Sequence, residues 1–132
     1  MTEITKKTIK ELDLTIYSIA GDFRIKTLQD LLDQFYQSQY TANLALDFSE
    51  AKSPDISRDD LDEILAHAKK YAHLRSSGKT AFIVPSDINF GLARMYETVA
   101  EIRKHTILHN VFRTFEEAIK WFEKLQALTE HT

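Results

Sequence analysis

The chain has 132 residues, of which 43% are hydrophobic and 28% charged, the proportions of an ordinary globular domain. Its 17 Lys and Arg against 20 Asp and Glu give a formal net charge of −3. This balance argues against a nucleic-acid binder, which would carry a basic excess. The chain has no cysteine, which excludes disulfides, thiolate catalysis and cysteine-ligated metals. No secretory signal and no apolar run near the ~20 residues of a membrane span are present, so we expect one cytoplasmic domain over residues 1–132.

The hydrophobic period switches between two and about 3.6 residues along the chain, which predicts alternating strands and helices. A polar segment over residues 3–10 and an apolar one over 14–20 predict an edge strand paired antiparallel with a second strand. Thr27 is predicted to open the first helix, because its hydroxyl can cap the helix while Asp30 reaches back. The inner face of this helix carries Leu28, Leu31, Leu32 and Phe35.

The middle of the chain predicts a strand, a helix and a second strand. Residues 43–48 form a short, mostly apolar strand, as in the interior of a parallel sheet, and a polar loop over 49–56 follows it. Ser57 begins the second helix, and a strand over 80–84 ends at Pro85. The apolar face of the second helix consists of Leu61, Ile64, Leu65, Ala68 and Tyr71.

The last third of the chain predicts a helix, a strand and a final helix. Ser86 or Asp87 caps the third helix, a strand spans residues 106–112, and Thr114 to Glu117 form a capping box. The inward residues of the last helix are Phe115, Ala118, Ile119, Phe122 and Leu125. The order ββαβαβαβα predicts an α/β fold, with a mostly parallel sheet of four or five strands, an antiparallel N-terminal strand and four helices.

Two motifs give the chain a resemblance to a known family. The first is FGLARMY at residues 90–96, which follows an AFIVPSD strand, and the second is VFRTFEEAIKWF at residues 111–122. Together they resemble the small bacterial SpoIIAA-like proteins, which are grouped with STAS domains and, more loosely, with the CRAL-TRIO lipid-transfer fold. The resemblance covers residues 3–125 and implies a STAS-like α/β domain.

The resemblance also implies a regulatory role through a protein partner. Anti-anti-sigma factors, the better-known STAS relatives, bind a kinase and are switched by phosphorylation of a serine in an Asp-Ser-Ser-Gly turn. Here the corresponding residues 55–58 read Asp-Ile-Ser-Arg, so Ser57 is in register while the first serine and the glycine are replaced. Four acidic residues that follow would repel a phosphate, namely Asp59, Asp60, Asp62 and Glu63. We therefore expect Ser57 to cap the second helix.

Several side chains are candidates for contact with a partner or ligand. Arg94 shares a helix face with Glu97 and Glu101, which is typical either of a solvated ion pair or of a contact with a partner or an anionic headgroup. Trp121 lies off the apolar stripe of the last helix and is expected to stay partly exposed. Ligands of parallel sheets usually bind beyond the carboxyl ends of the strands, where Gly21 to Arg24 and Ser49 are expected. The predicted binding residues are Ser57, Ser86, Asn89, Arg94, Tyr96, Arg113 and Trp121.

Catalytic and metal-binding patterns are missing from the sequence. His105 and His109 are four residues apart in a predicted strand, which separates their side chains by ~13 Å, and no third ligand is evident. The sequence has no G-x-S-x-G elbow, P-loop or Rossmann fingerprint, so we expect no cofactor and no metal. The leading hypothesis is a non-enzymatic protein-interaction or regulatory module that forms a homodimer. The alternatives are a carrier of a small apolar or amphipathic ligand and, third, an enzyme.

Overall fold

A computed structural model of the chain describes residues 2–52, 58–75, 78–84 and 107–130. These residues hold five strands and three helices, so the predicted α/β class is confirmed; the predicted third helix lies outside them, within residues 85–106. The strands are β1 (Thr2–Ile9), β2 (Leu14–Gly21), β3 (Asn43–Ala51), β4 (Lys79–Ile83) and β5 (Leu108–Phe112), and the helices are α1 (Ile25–Gln37), α2 (Arg58–Lys69) and α3 (Phe115–Glu130). Short 3₁₀ helices span Lys10–Leu12 and Ala72–Arg75.

The five strands form one sheet in the order β1-β2-β3-β4-β5. As predicted, β1 pairs antiparallel with β2, and the other pairs are parallel. Because the parallel strands follow one another in chain order, right-handed crossovers place α1 and α2 on the same face of the sheet. The helix α3, which follows β5, packs on the opposite face.

Alternation along the strands divides the core into two layers. Tyr17 and Ile19 of β2 point towards α1 and α2, whereas Leu14 and Ile16 point towards α3. The residues that α1 and α2 bury in the first layer are Leu31, Leu32, Phe35, Tyr36, Ile64, Leu65 and Ala68. In the second layer α3 buries Ala118 and Phe122, packed with Ala45, Ala81 and Ile83 of the sheet. Over the first four residues of β2 both faces are therefore covered, unlike those of the exposed edge strand β1.

The first helix begins three residues earlier than the predicted cap at Thr27 implies. Ile25 is its first residue, and the hydroxyl of Thr27 accepts a hydrogen bond of 3.2 Å from the backbone N–H of Arg24 instead of capping the helix from in front. Phe23 is buried and Ile25 packs against the same core, so tertiary burial decides where this helix starts. The local capping preference of Thr27 is the weaker effect.

The third strand is longer than predicted, because it continues through Ser49 and Glu50 to Ala51. A bulge between Ser18 and Ala20 shifts the register with β2 and lets pairing resume at Glu50. The carboxylate of Asp47 accepts bonds from the backbone N–H and the hydroxyl of Ser49, at 2.9 and 2.5 Å. The predicted strands at 80–84 and 106–112 are confirmed with boundaries shifted by one or two residues.

The cap of the last helix by Thr114 is confirmed, but Glu117 bonds to the Thr114 hydroxyl and not, as a capping box requires, to its backbone N–H, and one residue predicted to point inward does not. The hydroxyl of Thr114 accepts from the backbone N–H of Glu117 at 3.2 Å and donates to its carboxylate at 3.0 Å. Phe115, predicted to point inward, is 37% exposed because it is the first residue of α3, and the first buried residue of the helix is Ala118. Tyr71, predicted on the second helix, lies just after its end and is half-buried.

Candidate functional site

Most of the predicted binding residues lie outside the described residues, namely Ser57, Ser86, Asn89, Arg94 and Tyr96. The two that the structure describes are Arg113 and Trp121. Arg113 is exposed directly after β5, at the carboxyl edge of the sheet. Trp121 is half-buried, as expected, with its ring centroid 5.4 Å from that of Phe112 and 4.9 Å from that of Phe122. Their role in binding stays a prediction.

The carboxyl edge of the sheet is only partly open. Gly21 ends β2 with a φ of 80°, and its carbonyl accepts from the backbone N–H of Lys52 at 2.9 Å. Phe23, which the sequence placed on the binding edge, is instead 6% exposed and packs on Phe48, with ring centroids 5.1 Å apart. Phe23 therefore belongs to the core, because burying its aromatic ring stabilises the fold far more than leaving it exposed to solvent would.

One corner of the sheet is left open by α3 in the described structure. The helix starts beside the carboxyl end of β5 and crosses β4 and β3 to reach the 3₁₀ helix before β2. It thus leaves the beginning of β1 and the ends of β2 and β3 beside an open cavity of about 310 Å³. The cavity is lined by Glu3, Thr5, Ser18, Ile19, Ala20, Asp47, Ser49 and Glu50. Among the described residues, no group of three or more acidic or histidine side chains is placed to hold a metal ion.

A polar cluster between α1 and α2 was not predicted from the sequence. One carboxylate oxygen of Asp33 accepts a hydrogen bond of 2.6 Å from the hydroxyl of Tyr71 and one of 2.8 Å from Nε2 of His67. The bond from Tyr71, with the smaller contribution of His67, holds the pKa of Asp33 below its ordinary value of 3.8. The same bond raises the pKa of Tyr71 above 10.0. The cluster therefore stabilises an ionised Asp33 between the two helices.

The spacing of residues on each helix explains why these side chains meet. Gln29 and Asp33 are four residues apart on α1, as are Glu63 and His67 on α2, followed four residues later by Tyr71. Side chains with this spacing share a helix face, and the two faces touch, since Nε2 of Gln29 also donates to Glu63 at 3.3 Å. These two rows of polar residues, spaced four apart, were the sequence signal that could have predicted the cluster. The arrangement fastens α2 to α1.

A second unpredicted cluster surrounds Arg75, which is 5% exposed. Its Nε donates to the hydroxyl of Tyr36, and its Nη atoms donate to the carbonyl of Ala42 and the hydroxyl of Thr80, each at 2.9 Å. The guanidinium also lies 5.3 Å from the ring centroid of Phe35. Because a buried cation is costly unless it is well hydrogen-bonded, this arginine serves the fold: it ties the end of the α2 region to the starts of β3 and β4.

The two clusters are joined by aromatic stacking. The rings of Tyr36 and Tyr71 are nearly parallel, with an interplanar angle of 12° and centroids 4.6 Å apart. Tyr71 is bonded to Asp33 and Tyr36 to Arg75, so a continuous set of contacts runs from the helix surface to the sheet. These contacts hold the helical layer in place.

Comparison with known proteins gives relatives in structure alone. No family model matches the chain, and no curated protein is significantly similar to it in sequence. Among solved structures, an uncharacterized protein of the DUF3478 family with a SpoIIAA-like fold from Shewanella loihica PV-4 matches with a TM-score of 0.58 and 13% identity, over 92% of this chain and 93% of that one. The chain has a SpoIIAA-like fold.

Two further neighbours support the SpoIIAA-like fold. The anti-sigma factor antagonist SpoIIAA in its unphosphorylated form matches with a TM-score of 0.52 and 10% identity, over 92% of this chain and 98% of that one. An anti-sigma factor antagonist from Mycobacterium paratuberculosis matches with a TM-score of 0.58 and 12% identity, over 93% and 95%. The resemblance expected from the sequence is thus confirmed for the fold. Within the described ranges, no helix of this SpoIIAA-like domain is long and apolar enough to cross a membrane.

Proposed function

We propose that this SpoIIAA-like domain is a non-enzymatic module that acts by binding another protein. The observation that carries the proposal is the match to two proteins named as anti-sigma factor antagonists, over 92% and 93% of this chain. That name describes action on another protein. The match spans nearly all of both chains in each pair, so the whole domain, and not a shared fragment, supports the comparison.

Packing within the helical layer favours protein binding over the carriage of a small ligand. A carrier would need a cavity between the sheet and its helices. At that place Tyr17 packs edge-on against Phe35, with centroids 6.2 Å apart, and Phe23 packs against Phe48. Closely packed aromatic rings fill this layer in the described structure and contribute to the core.

Capture followed by a direct binding measurement tests the proposal. The tagged domain is expected to retain a protein partner in stoichiometric amount from its native host, and the purified pair is expected to bind in calorimetry. We predict that Arg113→Ala, at the carboxyl edge, weakens binding about tenfold, since interface arginines are frequent hot spots. Lys69→Ala, an exposed change on α2, is the matched control.

Each outcome of this experiment bears on a different part of the proposal. Failure of the purified pair to bind in calorimetry would contradict protein binding as the function. Equal binding by the Arg113 and Lys69 variants would leave protein binding in place and overturn the assignment of the carboxyl edge.

We further propose that the domain forms a homodimer through an apolar surface made of Phe112 and Trp121. These two side chains are half-buried, with ring centroids 5.4 Å apart, on the α3 face of the sheet. Leu108, which is 53% exposed, lies at the other end of β5 on the same face. Pairing of this surface with a second copy would remove apolar area from water, at roughly 25 cal/mol per Å². Tyr96, the other aromatic residue among the predicted binding residues, lies outside the residues that the structure describes.

A further inference from the structure

We draw no further inference here: the strongest candidate, the open cavity lined by Glu3, Asp47 and Glu50 where β1 begins and β2 and β3 end, is a cluster of acidic side chains at which nothing in the described part of the chain points to a ligand.

Discussion

Two buried tyrosines differ in whether the hydroxyl has a partner. The hydroxyl of Tyr17 has none among the described residues, whereas that of Tyr36 accepts from Arg75 at 2.9 Å. A buried hydroxyl without a hydrogen-bond partner costs about 1–3 kcal/mol of folding free energy. Removing a hydroxyl that has a partner imposes a similar cost, because the partner is then left buried without its hydrogen bond. We predict that Tyr17→Phe raises the free energy of unfolding by about 1 kcal/mol and that Tyr36→Phe lowers it by about 1–2 kcal/mol.

Urea unfolding of the two variants, followed by circular dichroism, measures these changes. Each variant is the control for the other, because both remove one hydroxyl from a buried ring and leave the ring in place. Destabilisation by Tyr17→Phe comparable to that by Tyr36→Phe would show that the Tyr17 hydroxyl is satisfied after all.

The lowered pKa of Asp33 predicts how the stability of the fold changes with pH in the acid range. Its pKa in the folded state is lowered, chiefly by the hydrogen bond from Tyr71, so the folded state binds fewer protons than the unfolded state in this range. The stabilisation is therefore fully present above the ordinary value of 3.8 and is lost as the pH falls through the lower folded value. Asp33→Asn is expected to lower stability at neutral pH and to flatten its decline in acid.

Urea midpoints of the Asp33 variant between neutral and acid pH test this expectation. Asp30→Asn is the control, since Asp30 lies on the same helix with a side chain that is 64% exposed. If the urea midpoint of Asp33→Asn fell with pH as steeply as that of the unmodified chain, the hydrogen bonds from Tyr71 and His67 would not stabilise the ionised carboxylate in solution.

At the scale of the helix, variants of Ser57 at the start of α2 distinguish between a helix cap and a phosphorylation switch. Ser57 directly precedes Arg58, the first residue of α2, and Asp59 and Asp60 follow in the first turn. A serine in this position typically stabilises by about 0.5–2 kcal/mol, and aspartate caps equally well. We predict that Ser57→Ala lowers stability by about that amount and that Ser57→Asp is nearly neutral.

Thermal melts of the two Ser57 variants decide between the cap and the switch. A silent Ser57→Ala, combined with loss of partner binding in Ser57→Asp, would restore the phosphorylation switch. That combination is the unexpected one, because the acidic residues around this position would repel a phosphate.

Elements defined by local sequence were predicted well, and contacts between distant residues were not. The cap that Thr114 makes to the backbone N–H of Glu117 needs residues only three apart, and the structure confirms it. The bonds of Asp33 to His67 and Tyr71 join residues 34 and 38 positions apart, which no local pattern specifies. The predicted binding residues remain predictions, apart from the observed exposure of Arg113 and partial burial of Trp121.

At the scale of the whole molecule, the order of the strands in the sheet could not be predicted from the sequence pattern. Alternation of strands and helices predicts parallel pairing, but several strand orders satisfy it. The observed sequential order places α1 and α2 on one face and gives the other face to α3. The surface around Trp121 follows from this arrangement, because it forms where α3 packs beside β5.

Native mass spectrometry of the gently purified full chain tests most directly whether the domain works through protein contacts. We predict a mass of two chains at micromolar concentration with no small-molecule adduct, and a shift towards one chain for Trp121→Ala. Leu74→Ala, which changes a residue that is 38% exposed elsewhere, is expected to behave as the unmodified chain. A single chain carrying a stoichiometric lipid-sized adduct would contradict the account and establish the carrier in its place.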